Sequence, residues 1–317
     1  MTETTRTVFE TYEIRKTKKQ KTAFIDYVKR IAAENGYSCT IEKGSFGARN
    51  IVVGSPEKAK AVYTAHYDTC PVLPFPNFIT PKNFLIYLLY QIAVVLLFMF
   101  VPIFAVQLLA ELAMTAVGVP SDLIPLISLL IYEALLVGII VLMLAGPANK
   151  HTANDNTSGV TTLLDLMTAM PEEQRENAAF VFFDLEESGL IGSSSFANKH
   201  KRTMEKKPLI NFDCVSDGEN ILFAVRKTAK AYVPMLKEAF AENEICKVEI
   251  LSKGVFYPSD QVNFKGGIGV AALKKSKRFG ILYMDRIHTG RDTVYRKENI
   301  AFLTAGVVRF TKILSND

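Results

Sequence analysis

The sequence lacks several features that would assign it to common classes of protein. Its four cysteines show no CxxC spacing, which excludes the usual cysteine zinc motifs and predicts reduced thiols. There is no internal repeat or low-complexity linker, and a formal net charge of +5 is too mild to indicate a nucleic-acid partner. The first twenty residues are polar and charged and do not resemble a signal peptide, so we expect the protein not to be secreted.

One long stretch of the sequence contains no basic residue. Between Phe84 and Gly146 there is no Lys or Arg, and three acidic residues are the only charged ones. This block divides into two apolar segments, 84–110 and 123–146, joined by TAVGVPSD. At about 1.5 Å per helical residue, both are long enough to cross a hydrocarbon core of about 30 Å. The sequence therefore predicts an inserted transmembrane helical hairpin at 84–146.

A hairpin returns the chain to the side of the membrane that it left. Lys82 and Lys150 flank the block, whereas the connecting loop contains Asp122 and no basic residue. The positive-inside rule then places the rest of the chain in the cytoplasm, at the cell membrane, with lipid contacts through 84–146. Glu133, near the middle of the second segment, is expected to be protonated or to face another helix. Alternatively, the helices pack on the remaining domain or on a second copy of the chain, and the second case would make the protein a homo-oligomer.

Outside this block, acidic or imidazole side chains follow short apolar runs. They are His66 in AVYTAHYDT, Asp155 in ANDNTSGV, Glu186 and Glu187 in VFFDLEESGLIGS, Asp213 in LINFDC, and His288 in RIHTGRDT. We expect each to lie where a strand ends, at the edge where α/β proteins build their sites. Zinc accepts imidazole and carboxylate ligands, so two imidazoles and three carboxylates can hold two ions if one carboxylate bridges them. Asp155, in a tight polar turn before an apolar helix, is the natural bridge.

Taken in series, these motifs resemble the M28 family of zinc aminopeptidases. The matching pieces are HYDT, DNTSG, EESGLIGS, NFDC, SDQVNF and HTGRD, within about 50–75 and 150–317. The resemblance implies hydrolysis of the N-terminal bond of a peptide substrate. It also implies that Glu186 is the general base, taking a proton from a water that bridges two zinc ions and passing it to the leaving amine. The implied zinc ligands are His66, Asp155, Glu187, Asp213 and His288, but which carboxylate binds which ion is not readable from the sequence.

Further roles follow from positions within these motifs. Asp68 shares a strand face with His66, so we expect it to accept a hydrogen bond from the imidazole and fix the imidazole tautomer. By resemblance, the peptide bond after Asp155 is expected to be cis. The predicted lining of the substrate pocket is Tyr257, Ser259 and Asp260, next to Gln261 where the family often has His.

Strand and helix patterns alternate along the rest of the chain, from a predicted helix at 18–35 to one at 296–314. This alternation predicts an α/β fold with a mixed, mostly parallel twisted sheet covered by helices on both faces. We expect one peptidase domain, formed by 1–83 and 147–317, around the inserted hairpin. The predicted function is that of a membrane-tethered dizinc aminopeptidase.

Other functions fit parts of this pattern. A carboxypeptidase or dipeptidase would use the same metal ligands. A transferase like glutaminyl cyclase shares the fold but uses one zinc and lacks the first histidine ligand, so His66 argues against it. A non-catalytic receptor or scaffold would be expected to have lost ligands, and none is lost here.

Overall fold

The computed structural model describes residues 1–316, in which nine strands form one mixed sheet. The strands are β1 (Cys39–Lys43), β2 (Arg49–Val53), β3 (Ala61–His66), β4 (Ala178–Phe183), β5 (Leu209–Phe212), β6 (Asn220–Val225), β7 (Lys247–Leu251), β8 (Gly267–Lys275) and β9 (Leu282–Tyr283). Their order is β1-β2-β4-β3-β5-β8-β6-β7, and β9 pairs with β8. The four central strands, β4, β3, β5 and β8, run parallel, so their carboxyl ends meet at one edge. The predicted sheet is thus confirmed.

Helices connect and cover these strands. They are α1 (Glu3–Thr11), α2 (Lys18–Glu34), α3 (Phe84–Val95), α4 (Val101–Ala116), α5 (Ile124–Ala145), α6 (Gly159–Ala169), α7 (Ile191–Lys199), α8 (Lys201–Met204), α9 (Val233–Ala239) and α10 (Lys297–Asn316). Helix α1 was not predicted, because only two of its nine residues are buried and its sequence has little apolar periodicity. A 3-10 segment at Lys227–Tyr232 leads into helix α9.

The alternation of side chains along β4 shows how both faces are covered. Phe180 and Phe182 point into a core shared with α2, α6 and α10, whereas Val181 and Phe183 point into a second core on the other face. Phe196 of α7 packs in that second core, with its ring 5.6 Å from the ring of Phe183. A strand buried on both sides explains why this run has no polar residue.

The prediction that every candidate residue follows a strand is wrong for Asp155 and His288. Asp155 lies in the turn Ala153–Ser158, which leads into α6 and has non-helical backbone angles at Asp155 and Asn156. The element that precedes this turn is helix α5 of the apolar block, and no strand lies between them in the described chain. His288 lies in a loop beyond the two-residue strand β9. The candidates that do follow the central strands β3, β4 and β5 are His66, Glu186, Glu187 and Asp213.

Two helical segments of the apolar block are long and apolar enough to cross a membrane: Phe84–Ala116 and Ile124–Ala145. The first is longer than predicted and contains a π-helical turn at Leu96–Phe100, between α3 and α4. Most apolar side chains of both segments are exposed, including Leu109 (66%) and Leu142 (61%). Little of their surface therefore packs on the sheet domain.

The segment that follows the apolar block pairs with a segment that precedes the block. The backbone N–H of Val72 donates to the carbonyl of Pro147 (2.8 Å), and that of Asn149 donates to the carbonyl of Cys70 (3.1 Å). The block lies between β3 and β4 in the chain, and these two strands are still neighbours in the sheet.

Candidate active site and metal centre

Asp155 lies between the two candidate histidines. Its Oδ1 is 3.2 Å from Nε2 of His66, and its Oδ2 is 3.1 Å from Nε2 of His288. Oδ1 is buried and has no hydrogen-bond partner within residues 1–316, despite its closeness to His66. Ligand atoms about 2.0–2.1 Å from one tetrahedral zinc lie about 3.3 Å apart. The spacing therefore suits one cation on each side of Asp155 better than direct hydrogen bonds.

The other two carboxylates divide between the histidines. Oδ1 of Asp213 lies 3.5 Å from Nε2 of His66, and Oε2 of Glu187 lies 3.2 Å from Nε2 of His288. Two candidate ligand groups that share Asp155 result. In His66–Asp155–Asp213 all ligand atoms lie within 4.8 Å of one another, and in His288–Asp155–Glu187 each carboxylate lies close to His288. Glu186 and Glu187 also lie within 4.8 Å of His66. The thiol of Cys70 lies within 4.8 Å of the candidate ligand atoms of Glu187 and His288.

The site holds more negative charge than its imidazoles balance. Burial, followed by the charges of other carboxylates, raises the pKa of Glu186 well above its ordinary value and that of Asp260 to about 7. Burial alone would also raise the pKa of Asp155, but the contacts and charges of His288 and His66 outweigh it and lower that pKa. Divalent cations would compensate this buried excess of negative charge, so the donor set fits a metal centre.

A turn directs the two adjacent glutamates to different places. Leu185 has a positive φ of 55°, which reverses the chain directly after β4. Glu186 then lies on the side of His66, with Oε2 4.0 Å from Nε2, while Glu187 approaches His288. The side chain of Glu186 is 15% exposed, against 5% for Asp155, so it lies toward the opening of the site.

Asp68 supports this turn rather than the imidazole alone. Its carboxylate accepts the backbone N–H groups of Glu186 (3.0 Å) and Glu187 (3.2 Å). Nδ1 of His66 lies 3.6 Å from that carboxylate but 3.2 Å from the main-chain oxygen of Asp68, which is the hydrogen-bonding partner. The predicted acceptor was the carboxylate, whereas the main-chain oxygen of Asp68 is the one within hydrogen-bond distance of Nδ1.

The peptide bond between Asp155 and Asn156 is cis, as the resemblance predicted. The side chain of Asn156 donates to the carbonyl of Phe212 at the end of β5 (3.0 Å) and accepts the N–H of Gly159 at the start of α6 (3.0 Å). These contacts hold the turn of Asp155 against the central strands.

The predicted pocket residues are buried beside Asp213. The hydroxyl of Tyr257 donates to the main-chain oxygen of Asp213 (2.9 Å), and Ser259 accepts a hydrogen bond from Asn211 of β5 (2.9 Å). Both carboxylate oxygens of Asp260 are buried without a hydrogen-bond partner in the described chain. A contact of these residues with substrate stays a prediction.

Two buried charged residues near the site were not predicted. Arg15 is fully buried and donates to the carbonyl of Tyr67 (2.6 Å) and to Thr157 Oγ1 (3.2 Å). Nothing in the basic run IRKTKKQ distinguishes Arg15 from its solvated neighbours. Asp292 accepts the backbone N–H groups of Asn154 (2.8 Å) and Asp155 (2.9 Å). The sequence signal that could have identified Asp292 was its position at the end of the HTGRD motif.

Replacing Asp292 with Asn should loosen the turn that holds Asp155. An amide has only one acceptor oxygen, so one of the two backbone N–H groups would lose its partner, at a cost of about 1–3 kcal/mol of unfolding free energy. We also expect weaker metal binding. Denaturant unfolding and metal titration of Asp292→Asn, beside the exposed control Asp122→Asn, would measure both effects. Equal stability and metal affinity of the two variants would contradict the assigned role.

The fold is similar to those of solved aminopeptidases and glutaminyl cyclases. The LapA aminopeptidase of Legionella pneumophila is 14% identical, with a TM-score of 0.56 over 99% of this chain and 71% of that chain. A glutaminyl cyclase of Porphyromonas gingivalis is 14% identical, with a TM-score of 0.53 over 98% of each chain. A leucine aminopeptidase precursor of Bacteroides thetaiotaomicron is 14% identical, with a TM-score of 0.52 over 96% of this chain and 95% of that chain. At such low identity, these likenesses establish the fold alone.

A comparison with curated protein sequences finds no match. The sequence model of Peptidase family M28, however, matches residues 140–306, more than half of the chain. The matched range contains Asp155, which the two ligand groups share, and every other candidate ligand except His66. The chain therefore belongs to peptidase family M28.

Proposed function

We propose that this protein is a membrane-tethered aminopeptidase that uses two zinc ions. The observation that carries the proposal is the pair of ligand groups that share Asp155, with Glu186 beside them at the more exposed side of the site. Membership of a peptidase family supports hydrolysis of peptide bonds. The aminopeptidases among the structurally similar proteins make the N-terminal bond the first choice.

The residues of this chain divide the chemistry between them. Zinc ions held by the two groups would lower the pKa of a water molecule and polarise the scissile carbonyl. Glu186 takes a proton from the attacking water and delivers it to the leaving amine. Asp68 fixes the backbone of Glu186 through the hydrogen bond to its N–H (3.0 Å). The carboxylates that belong to neither ligand group, Glu186 and Asp260, favour a substrate with a free, positively charged α-amine.

The apolar helices provide the membrane anchor in this proposal. They leave large apolar side chains exposed that a lipid environment would cover. Lys82 and Lys150 flank the block and Asp122 lies in its connecting loop, which by the positive-inside rule places the catalytic domain in the cytoplasm.

A glutaminyl-cyclase-like transferase is the second candidate, because such enzymes share the fold. The position of His66, close to both Asp155 and Asp213, supports a second metal and speaks against a site with one zinc. Two bound metal ions per chain would favour the peptidase, and one would favour the transferase.

Release of amino acids from free and N-acetylated forms of the same peptides would test the specificity. With detergent-purified protein and added zinc, we expect cleavage of the free-amine peptides only, because acetylation removes the charge that the acidic site attracts. The metal content of the same preparation is measured in parallel. Cleavage of acetylated peptides from their carboxyl end would identify a carboxypeptidase instead. A preparation with two zinc ions and no turnover of any peptide would refute the proposed activity.

A further inference from the structure

The apolar helices end directly at the candidate active site. Pro147 follows the last residue of α5, Ala145, after a single glycine, and its carbonyl accepts the N–H of Val72 (2.8 Å). The next residue, Leu73, donates its N–H to the carbonyl of the candidate ligand His288 (2.8 Å). Two adjacent backbone hydrogen bonds thus connect the end of the apolar block with the metal centre.

No flexible spacer separates α5 from this pair of bonds. The N–H of Gly146 still bonds to the carbonyl of Leu142 (2.9 Å), and a Cβ on Gly146 would lie 2.2 Å from that same oxygen. Only glycine therefore lets the chain leave the helix so abruptly. The ammonium of Lys16 donates to the carbonyl of Leu144 in the last turn of α5 (3.1 Å).

The first apolar helix is fixed to the catalytic domain as well. The hydroxyl of Tyr90 in α3 donates to the carbonyl of Pro76 (2.6 Å), and the ring of Phe98 lies 4.6 Å from that of Phe75. Both helical segments of the hairpin thus contact the catalytic domain directly, and a flexible tether does not separate them from it.

The path from the end of α5 to the site is short. The path runs over two residues of chain to Pro147, across the two backbone hydrogen bonds just described, and along the side chain of His288. Its length is on the order of 20 Å in all. The headgroup layer on one side of a bilayer occupies about 6 Å of such a distance. The side chain of His288 is 18% exposed and that of Glu186 is 15% exposed, so the site is open to solvent at His288 as well as at Glu186.

We propose that the substrates are amino-terminal segments of membrane-anchored peptides, held in the same leaflet by an apolar anchor. This inference rests on the proposed function and names its substrate class. An extended chain rises about 3.3 Å per residue, so roughly six residues between anchor and α-amine bridge about 20 Å. The enzyme trims tails longer than this and stops when the tail can no longer reach.

The test uses full-length protein in lipid vesicles and peptides of one sequence with a C-terminal acyl anchor. The tail between anchor and free amine has four, eight or sixteen residues, and unanchored peptides of equal length serve as controls. We expect the anchored eight- and sixteen-residue tails to be cleaved at least about tenfold faster than their soluble forms, because the anchor raises the effective concentration. The four-residue tail should not be cleaved, and trimming of longer tails should stop near six residues.

Two outcomes overturn the inference while the proposed function survives. One is equal cleavage of anchored and soluble peptides, and the other is cleavage of the anchored sixteen-residue tail but not of the eight-residue tail. If neither anchored nor soluble peptides are cleaved by vesicles that retain the protein, the proposed function fails and the inference with it. Glu186→Gln in the same vesicles measures the background, and that variant must leave every peptide intact.

Discussion

Replacement of Glu186 by Gln is expected to lower kcat for peptide hydrolysis by roughly 10²–10⁴-fold. Gln has nearly the same shape as Glu but cannot take a proton from water or pass one to an amine. Glu186 lies 4.0 Å from His66 and within 4.8 Å of a candidate ligand atom of Glu187, but it is not in either ligand group around Asp155. We therefore expect the metal content to stay unchanged. Steady-state kinetics and metal analysis of the purified variant would measure both quantities.

The control for this variant is Glu173→Gln, an exposed glutamate in the turn Glu172–Asn177. It should keep the activity and metal content of the unchanged protein. Full activity of Glu186→Gln would exclude Glu186 as the base. Loss of metal together with activity would instead assign Glu186 to a ligand group.

On the proposed membrane topology, deletion of residues 84–146, with a short flexible linker in their place, should yield a soluble protein. The deletion removes both helices and their exposed apolar side chains, while the backbone pairing of Val72 with Pro147 remains to close the chain. We expect the intact protein to stay in the membrane pellet after an alkaline wash and to require detergent. The shortened protein should appear in the supernatant and still cleave soluble peptides.

Equal solubility of the two proteins without detergent would contradict the membrane proposal. In that case a second copy of the chain would be the better cover for the apolar helices, and the mass of the intact protein in solution would show it. Loss of peptide cleavage after deletion, with the fold retained by circular dichroism, would mean that α3 contributes to the site through its packing against Phe256.

The sequence predicted the sheet and identified the residues that the structure brings together, but not their pairing. The motifs around Asp155 and Glu186 are short contiguous runs of sequence, so each can be recognised without knowledge of the fold. That Asp213 approaches His66 while Glu187 approaches His288 depends on which strands are neighbours and on the turn at Leu185. Such facts follow from tertiary structure and have no local signature.

The residues that support the site were harder to predict than those that form it. Arg15 and Asp292 act through backbone atoms of other segments, and such partners can have any side chain. The wrong expectation that a strand precedes Asp155 had a similar origin. The sequence predicted a helix over the apolar run before the motif, but not that this helix ends close to the candidate metal ligands.

The apolar block lies between β3 and β4 in the chain, and this affects how the protein folds during synthesis. Strand β3, which ends in His66, lies between β4 and β5, and both of these follow the block in the chain. Chains are synthesised from the amino terminus at about 5–20 residues per second. On the proposed topology the hairpin therefore enters the bilayer while β3 still lacks both of its neighbours. The catalytic domain then folds at the membrane surface. His66 is already there when the other candidate ligands, which follow the block in the chain, are synthesised.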